Sequence, residues 1–342
     1  MTASTRYQLF VGIDIAAASF AASWTSESTS YPPGITFEQT PSGFTALQQR
    51  LSTTGVAPAQ TLMVLEATGS YWVTFAVTMH QAGYHVSVVN PAQMLQFARS
   101  LPRRAKTDAL DAQVCTRFAV ERQPAPWHPP PQVYHELQQR LVVRDGLLSV
   151  RQHMRNQRHA LEQWPVVIDS VTEQLDAVSK DLSERIATLE NEIAEVLRDG
   201  AWAESARLLQ TITGVGLVTT AWLLVGTLNF TVATTPEQCA AYVGLVPLAY
   251  ESGTSVRGRA RIGHGGHARL RTALYMATLS AAQHNPLICR FYKRLRAAGK
   301  PPKVARCAAA RKLLHLAWAV VTKRQAFNPT HGQLEASLAV TT

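Results

Sequence analysis

Y-Q-L-F-V-G-I-D-I, residues 7–15, reads as a buried central strand: an almost unbroken apolar run with one carboxylate, Asp14, near its end. A charge in such a strand is costly unless it is paired or bound to a cation. Outward from it, Ser19–Thr25 and Tyr31–Glu38 read as further strands, and Pro41-Ser42-Gly43 opens a helix to about Leu51. Thr61–Leu65 is another short buried strand that ends on Glu66, and Gly69 then breaks the chain before a helix over Tyr71–Ala82. After Gly83 come a strand at His85–Val89, the turn Asn90-Pro91 and a helix to about Arg99. A strand meander followed by strand–helix alternation predicts a mixed α/β sheet with helices packed on it.

The stretch R-R-A-K-T-D-A-L-D-A, residues 103–112, enters a segment, Thr107–Val120, with helical apolar spacing. Asp108 and Asp111 therefore share a helix face one turn apart, with Thr107 placed as the cap and Arg103, Arg104 and Lys106 just upstream. Taken alone, the pair reads as a solvated acidic patch, and Asp14 and Glu66 each read as a strand-end acid. Should the four converge, their mutual repulsion requires hard cations. Oxygen ligands suit Mg²⁺ or Mn²⁺, and two such ions clamp the attacking and leaving oxygens of a phosphodiester.

Charge is spread unevenly along the 342 residues, whose net charge is +10. Residues 251–342 carry sixteen Lys or Arg against two Asp or Glu, while residues 1–250 carry seventeen against twenty-one. A basic last third on a nearly neutral body points to a polyanionic partner, nucleic acid. Cys115, Cys239, Cys289 and Cys307 lie far apart with no C-x-x-C, as reduced buried cysteines do rather than a disulfide frame or zinc site. No signal peptide is evident, and apolar stretches such as Leu313–Val321 are too short for a bilayer. The expectation is a soluble protein of the cytoplasm with no membrane partner.

The sequence divides into 1–125, a helical linker and arm at 126–202, a helical domain at 203–330 and a tail at 331–342. Pro124–Pro131 is the first boundary, since prolines cannot continue a helix. Val133–Glu162 carries Arg140, Arg144, Arg151, Arg155 and Arg158, spaced to line a face. Residues 171–197 repeat apolar positions at a 3–4 spacing with acidic outer positions, as a coiled-coil or helical-hairpin arm does. I-T-G-V-G-L, Ile212–Leu217, suits a helix–hairpin–helix turn facing phosphate or a plain helix turn.

Y-E-S-G-T-S-V-R-G-R-A-R, Tyr250–Arg261, joins three hydroxyls to Arg257, Arg259 and Arg261, with Arg269 and Arg271 further along. From spacing alone this is a phosphate-gripping loop, and it leaves Ser252, Thr254 and Ser255 undistinguished. His264 and His267 follow as phosphate ligands or a base, and a serine at its normal pKa needs activation from elsewhere.

G-I-D-I-A (Gly12–Ala16), E-A-T-G-S-Y (Glu66–Tyr71), N-P (Asn90-Pro91), K-T-D-A-L-D-A (Lys106–Ala112) and A-Y-V-G-L-V-P…Y-E-S-G-T-S-V-R-G (Ala241–Gly258) occur in order. Together they resemble the insertion-sequence transposases with an N-terminal RuvC-like DEDD domain and a C-terminal serine domain. That family includes Piv-type DNA invertases and bridge-RNA-guided recombinases, and the resemblance covers roughly residues 7–325. It implies an RNase H-like sheet, a coiled-coil arm and a helical domain bearing the serine. It assigns Asp14, Glu66, Asp108 and Asp111 to Mg²⁺ and Ser252 to the covalent link with DNA. It further implies a homo-oligomer with composite active sites, donor and target DNA as substrates, a structured non-coding guide RNA, and a nucleoid-associated bacterial protein. Two other classes compete: a metal-dependent nuclease or resolvase of the same sheet, in which Ser252 only grips phosphate, and an actin-like or sugar-kinase ATPase. The ATPase reading leaves the basic last third unexplained.

Overall fold

Strand β1, Leu9–Ile15, lies at the centre of a five-stranded sheet with β2 (Ser19–Thr25), β3 (Ile35–Glu38), β4 (Thr61–Glu66) and β5 (His85–Val89) in the order β3-β2-β1-β4-β5. The computed structural model describes residues 7–102, 107–252, 256–263 and 265–330. β1–β2 and β2–β3 pair antiparallel, whereas β1–β4 and β4–β5 pair parallel. The order is compatible with the expected RNase H-like sheet. The chain forms two compact units that divide after Pro129.

Helices of the first unit are α1 (Pro41–Ser52), α2 (Trp72–Gln81), α3 (Pro91–Arg99) and α4 (Asp108–Arg122). Successive strand residues point to opposite faces, and the core divides accordingly. Leu9, Val11, Ile13, Met63 and Leu65 pack with Phe44, Leu47 and Phe75 on the α1 and α2 side. Phe10, Leu62 and Val64 pack with Phe97, Cys115 and Phe118 on the α3 and α4 side.

Gly12 fixes how α4 lies on the sheet. A Cβ there would stand 2.0 Å from the Thr116 amide nitrogen and 2.3 Å from the Ala112 carbonyl oxygen. The Gly12 amide donates to Thr116 Oγ1 at 3.1 Å, and that hydroxyl lies 2.9 Å from the Ser23 carbonyl and 3.0 Å from that of Ala112. Thr116 is fully buried, so these partners satisfy a group that would otherwise be costly.

The strand expected from Tyr31 starts only at Ile35. Pro32 and Pro33 have no amide to give a ladder. The segment instead serves α4: the Gly34 amide donates to Ala109 O at 3.0 Å, Gln113 Nε2 donates to Tyr31 O, and Ser23 Oγ donates to Pro32 O. The proline segment after α4 is likewise engaged. Ser87 Oγ lies within hydrogen-bonding distance of the Pro124 and Ala125 carbonyls, the Trp127 amide donates to Val86 O, and the Trp127 ring meets Trp72 edge-on. Edge strand β5 is thereby covered.

In the second unit, α5 (Gln132–Leu161) and α6 (Asp169–Asp199) form a helical hairpin. The arginine face of α5 turns to its neighbour: Arg140 pairs with Glu192, Arg144 with Glu190 and Arg158 with Asp176, while Arg151 donates to Ser183 Oγ. Partner numbers fall as arginine numbers rise, the signature of antiparallel helices in fixed register. The remaining helices are α7 (Ala203–Gln210), α8 (Leu217–Gly226), α9 (Pro236–Val243), α10 (Ala268–His284), α11 (Pro286–Ala297) and α12 (Pro302–Thr322). Their core includes Trp222, Leu224, Leu274 and Leu313, and the feet of α5 and α6 join it through Leu137, Leu141, Ile193 and Leu197. Between α7 and α8, Gly214 has φ +97°, and a Cβ there would lie 2.6 Å from Ala281 Cβ. Packing against α10 explains this glycine without a phosphate.

All four cysteines are free, Cys115 and Cys239 being buried and Cys289 and Cys307 half-buried. Among the described residues no helix is long and apolar enough to cross a membrane.

His267 caps α10, its Nδ1 accepting from the Leu270 amide at 3.1 Å, with its ring against Trp222. Burial, with Arg269 and Arg271 adding to it, holds its pKa below the ordinary value. The unfolded chain therefore takes up the proton more readily, so stability is present above the ordinary value of about 6.5 and is lost as pH falls through the folded value. His267→Asn keeps a capping acceptor without a titrating ring, and should lose less stability than the parent on acidification. Denaturant midpoints across the acid range check this, and equal losses would refute it. Gly12→Ala forces a methyl into helix backbone and should cost about 3 kcal/mol, the upper end for overpacking. An unshifted denaturation midpoint would show that α4 is not held by this contact.

Candidate active site

Sheet register and helix direction carry the four carboxylates toward one end of the sheet. Ile13 pairs with Leu65 across parallel strands, so the next step sets Asp14 beside Glu66, with the strands about 4.8 Å apart. Both belong to the alternate set that includes Phe10, Gly12, Leu62 and Val64, which faces α3 and α4. Along that face α4 runs opposite to β1. Phe118 packs in the cluster with Phe10, and residues 112–116 lie on Gly12. The first turn of α4, with Asp108 and Asp111, thus lies toward the strand ends that carry Asp14 and Glu66.

Local chemistry supports that placement. Thr107 Oγ1 caps α4 by accepting from the Leu110 amide at 3.3 Å, and acids in a first turn complement the helix dipole. Asp111 continues the stripe that Ala112, Cys115 and Ala119 bury against the sheet. Asp14, Glu66 and Asp111 are half-buried and Asp108 is exposed. Glu66 Oε1 accepts from Thr68 Oγ1 at 2.8 Å. Among the described residues no three acidic, His or Cys side chains are drawn close enough to hold an ion as they stand. Arg103, Arg104 and Lys106 lie outside the described residues.

The hydroxyl-rich stretch of the second unit is a hairpin rather than a loop. β6, Pro247–Ser252, pairs antiparallel with β7, Val256–Ile262. Ser252 pairs with Val256 and Glu251 with Arg257, so Ser252 is the last paired residue before the turn. Gly253, Thr254, Ser255 and His264 lie outside the described residues. Arg257, Arg259 and Arg261 occupy alternate positions of β7, and Arg261 is exposed.

The root of this hairpin is clamped. Gly244, at φ +82°, and Gly266, at φ +83°, lie so close that a Cβ on Gly266 would stand 2.6 Å from the Gly244 nitrogen. Arg271 Nη1 donates to the carbonyls of Val243 and Gly265, tying the entry of β6 to the exit of β7. Arg269 lies 3.7 Å from Asp145 and over the Trp222 ring. With His267 held as a helix cap, Arg271 and His267 have structural work at the positions where the sequence suggested phosphate contacts. Sequence reading overlooked a basic stripe on α12, although Lys303, Cys307, Arg311 and His315 recur every fourth residue.

Comparison with known proteins matches two family profiles. Residues 11–163 match a profile described as a transposase, the DEDD transposase of IS110 type, and residues 206–293 match one described as the transposase IS116/IS110/IS902 family. The pilin gene-inverting proteins of Moraxella bovis and Moraxella lacunata are each 30% identical over 325 residues, covering 93% of this chain and 97% of theirs. An uncharacterized 43.6 kDa protein of insertion element IS110 from Streptomyces coelicolor is 30% identical over 156 residues, 46% of this chain and 36% of its own. With similarity over nearly its whole length and both family profiles present, this chain belongs to the IS110-family transposases, enzymes that recombine DNA.

Proposed function

We propose that this protein cuts and rejoins DNA through a serine-linked intermediate, with Asp14, Glu66, Asp108 and Asp111 as the ligands of divalent cations on an RNase H-like, RuvC-like sheet. The observation that carries the reading is the run of α4 against β1, with the Asp108–Asp111 turn toward the strand ends of Asp14 and Glu66. Four carboxylates on one surface repel one another, and their hard oxygens fit Mg²⁺ or Mn²⁺. Bound there, the cations would supply charge stabilisation for a phosphodiester under attack.

Ser252 is the nucleophile. Its Oγ forms a bond to phosphorus as the P–O bond to the leaving strand breaks, and the proton of the serine ends on the departing strand oxygen. The phosphodiester energy stays in the protein–DNA link, so a new strand can be joined without ATP. The end-of-strand position of Ser252 and the family match over residues 206–293 support this role. Arg257, Arg259 and Arg261 then hold phosphate oxygens. Inversion of a DNA segment, named for the Moraxella relatives, and transposition of an element are both outcomes of such an exchange.

The acids and Ser252 belong to different units of the chain. A homo-oligomer in which one protomer's serine meets its partner's acids satisfies that separation. The tip of the α5–α6 arm supports oligomer formation, since it exposes Trp164 (66%), Val166 (76%) and Ile168 (61%). Sequence choice rests on a structured non-coding RNA paired with donor and target DNA, while the basic last third grips backbones.

Trapping the reaction in denaturant with labelled DNA tests the serine. The parent should yield a protein–DNA adduct, and Ser252→Ala should yield neither adduct nor strand exchange, whereas Thr254→Ala and Ser255→Ala retain the adduct. Cleavage by Ser252→Ala with no adduct in the parent would establish a metal-dependent nuclease instead. Chelator, Asp14→Ala or Glu66→Ala should each lower cleavage by about a thousandfold, the size of several kcal/mol of transition-state stabilisation, with melting temperature retained. Undiminished cleavage in chelator would overturn the metal assignment.

A further inference from the structure

Behind the root of the β6–β7 hairpin lies a cavity of about 600 Å³ between that hairpin, α11 and α12. This size falls within the roughly 300–1,000 Å³ typical of small-molecule sites. One face of α12 forms a wall, with Lys303, Val304, Cys307, Arg311, Lys312 and His315 at the three- and four-residue spacings of a helix face. Leu245, Ile262 and Phe291 add carbon from the other sides, and Arg261 reaches it from β7. No carboxylate is among its described lining residues.

An apolar interior with a cationic lining fits a planar apolar group bonded to an anion. We propose that this cavity takes an unstacked base of single-stranded DNA, with Arg261, Lys303 and Arg311 on the adjoining phosphates. The choice of DNA rests on the recombinase reading and on the shared strand, since β7 supplies Arg261 to the cavity and pairs with the strand that ends on Ser252. The lining argues the same way. Among its described lining residues, the polar side chains apart from His315 and the Cys307 thiol are all cations, with no side-chain hydroxyl or amide to recognise a ribose 2′-hydroxyl. His315 Nε2 is buried without a hydrogen-bond partner among the described residues, and it supplies a polar contact for a base edge. Burial, then Arg311, lowers the His315 pKa against the opposing pull of Glu237, which favours the neutral ring. A strand held by a base here is anchored beside the hairpin by something other than its charge, and an extrahelical base gives the site a reason to prefer opened DNA over duplex.

The experiment compares a short labelled oligodeoxythymidine with an abasic strand of equal length and charge, measured by fluorescence anisotropy on the full chain carrying Ser252→Ala. Binding is the readout, so failure of the serine chemistry would leave the result standing. The intact strand should bind about tenfold tighter, in line with stacking and burial of one base. Val304→Trp, at a position 53% exposed, and Ala308→Leu should each fill the cavity and bring the intact strand down to the abasic level without weakening the abasic strand. Arg311→Ala should weaken both strands alike. An intact-to-abasic ratio that survives both filling variants in folded protein would overturn the base pocket. Oligouridine that binds as tightly as the DNA strand, with the same loss on filling, would overturn the assignment to DNA.

Discussion

The missing side chain of Gly12 is the constraint on which the first unit depends. Helix backbone from Ala112 to Thr116 occupies the space that any Cβ at that point of β1 would need. Such close approach fixes the helix in translation as well as rotation, because only one turn of α4 can sit on the glycine. Thr116 then locks the register, accepting from Gly12 while its hydroxyl reaches carbonyls on β2 and α4 itself. Once residues 112–116 are seated, helical rise carries Asp111 and Asp108 toward the end of β1, and sheet register carries Glu66 to Asp14. The acidic surface therefore follows from a backbone contact that contains no acid.

Elements of this fold were legible where the cause is local. Thr107 caps α4 as its spacing indicates, because a short oxygen-bearing side chain reaches the free amides of a first turn, and the helix starts read at Pro41 and Asn90-Pro91 are capped the same way by Thr40 and Asn90. The central strands were equally plain, since a run buried on both faces has no polar alternate positions. What stayed hidden depends on partners. Tyr31–Gly34 leads into β3 without pairing in it: Tyr31 O and the Gly34 amide hydrogen-bond to α4, 75 or more residues away in sequence, and Pro32 O accepts from Ser23 of β2. That the arginines of α5 line a face could be read, but not that α6 supplies Glu190, Glu192 and Asp176 to meet them. Likewise the β6–β7 stretch read as a loop, because its glycines and hydroxyls mask a pairing visible only in register. Asp14 and Glu66 stood out as charges on apolar strands and Asp108 and Asp111 as a pair on one helix face, whereas the meeting of the two pairs on one side of the sheet could not be read.

The paired hairpin also changes how the charge of the chain is read. Arginines and acids of α5 and α6 largely neutralise one another along the arm, so little of its positive charge is left for a distant polyanion. The sixteen basic residues after position 250 have only two acids in the same stretch. Several are drawn into structure: Arg271 holds carbonyls, Arg269 lies over Trp222, and Lys312 and Arg294 flank Phe291. The basic surplus of the chain thus lies in the last helices of the second unit and on β7, while Asp14, Glu66, Asp108 and Asp111 are carried by the first.

The second unit orients its hairpin from the root. Gly244 and Gly266 interlock at positive φ, where side chains would collide with the opposing backbone, and Arg271 ties the carbonyls on both sides of that crossing. Arg271 is in turn set by α10, whose start is fixed by the His267 cap. The direction of β6 and β7 is thus tied to a capped helix end at their root, and Arg261 of β7 stays exposed. The same logic explains why His267 and Arg271, beside the arginine-bearing hairpin, have structural work: a hairpin positioned by its root keeps the surroundings of its far end free.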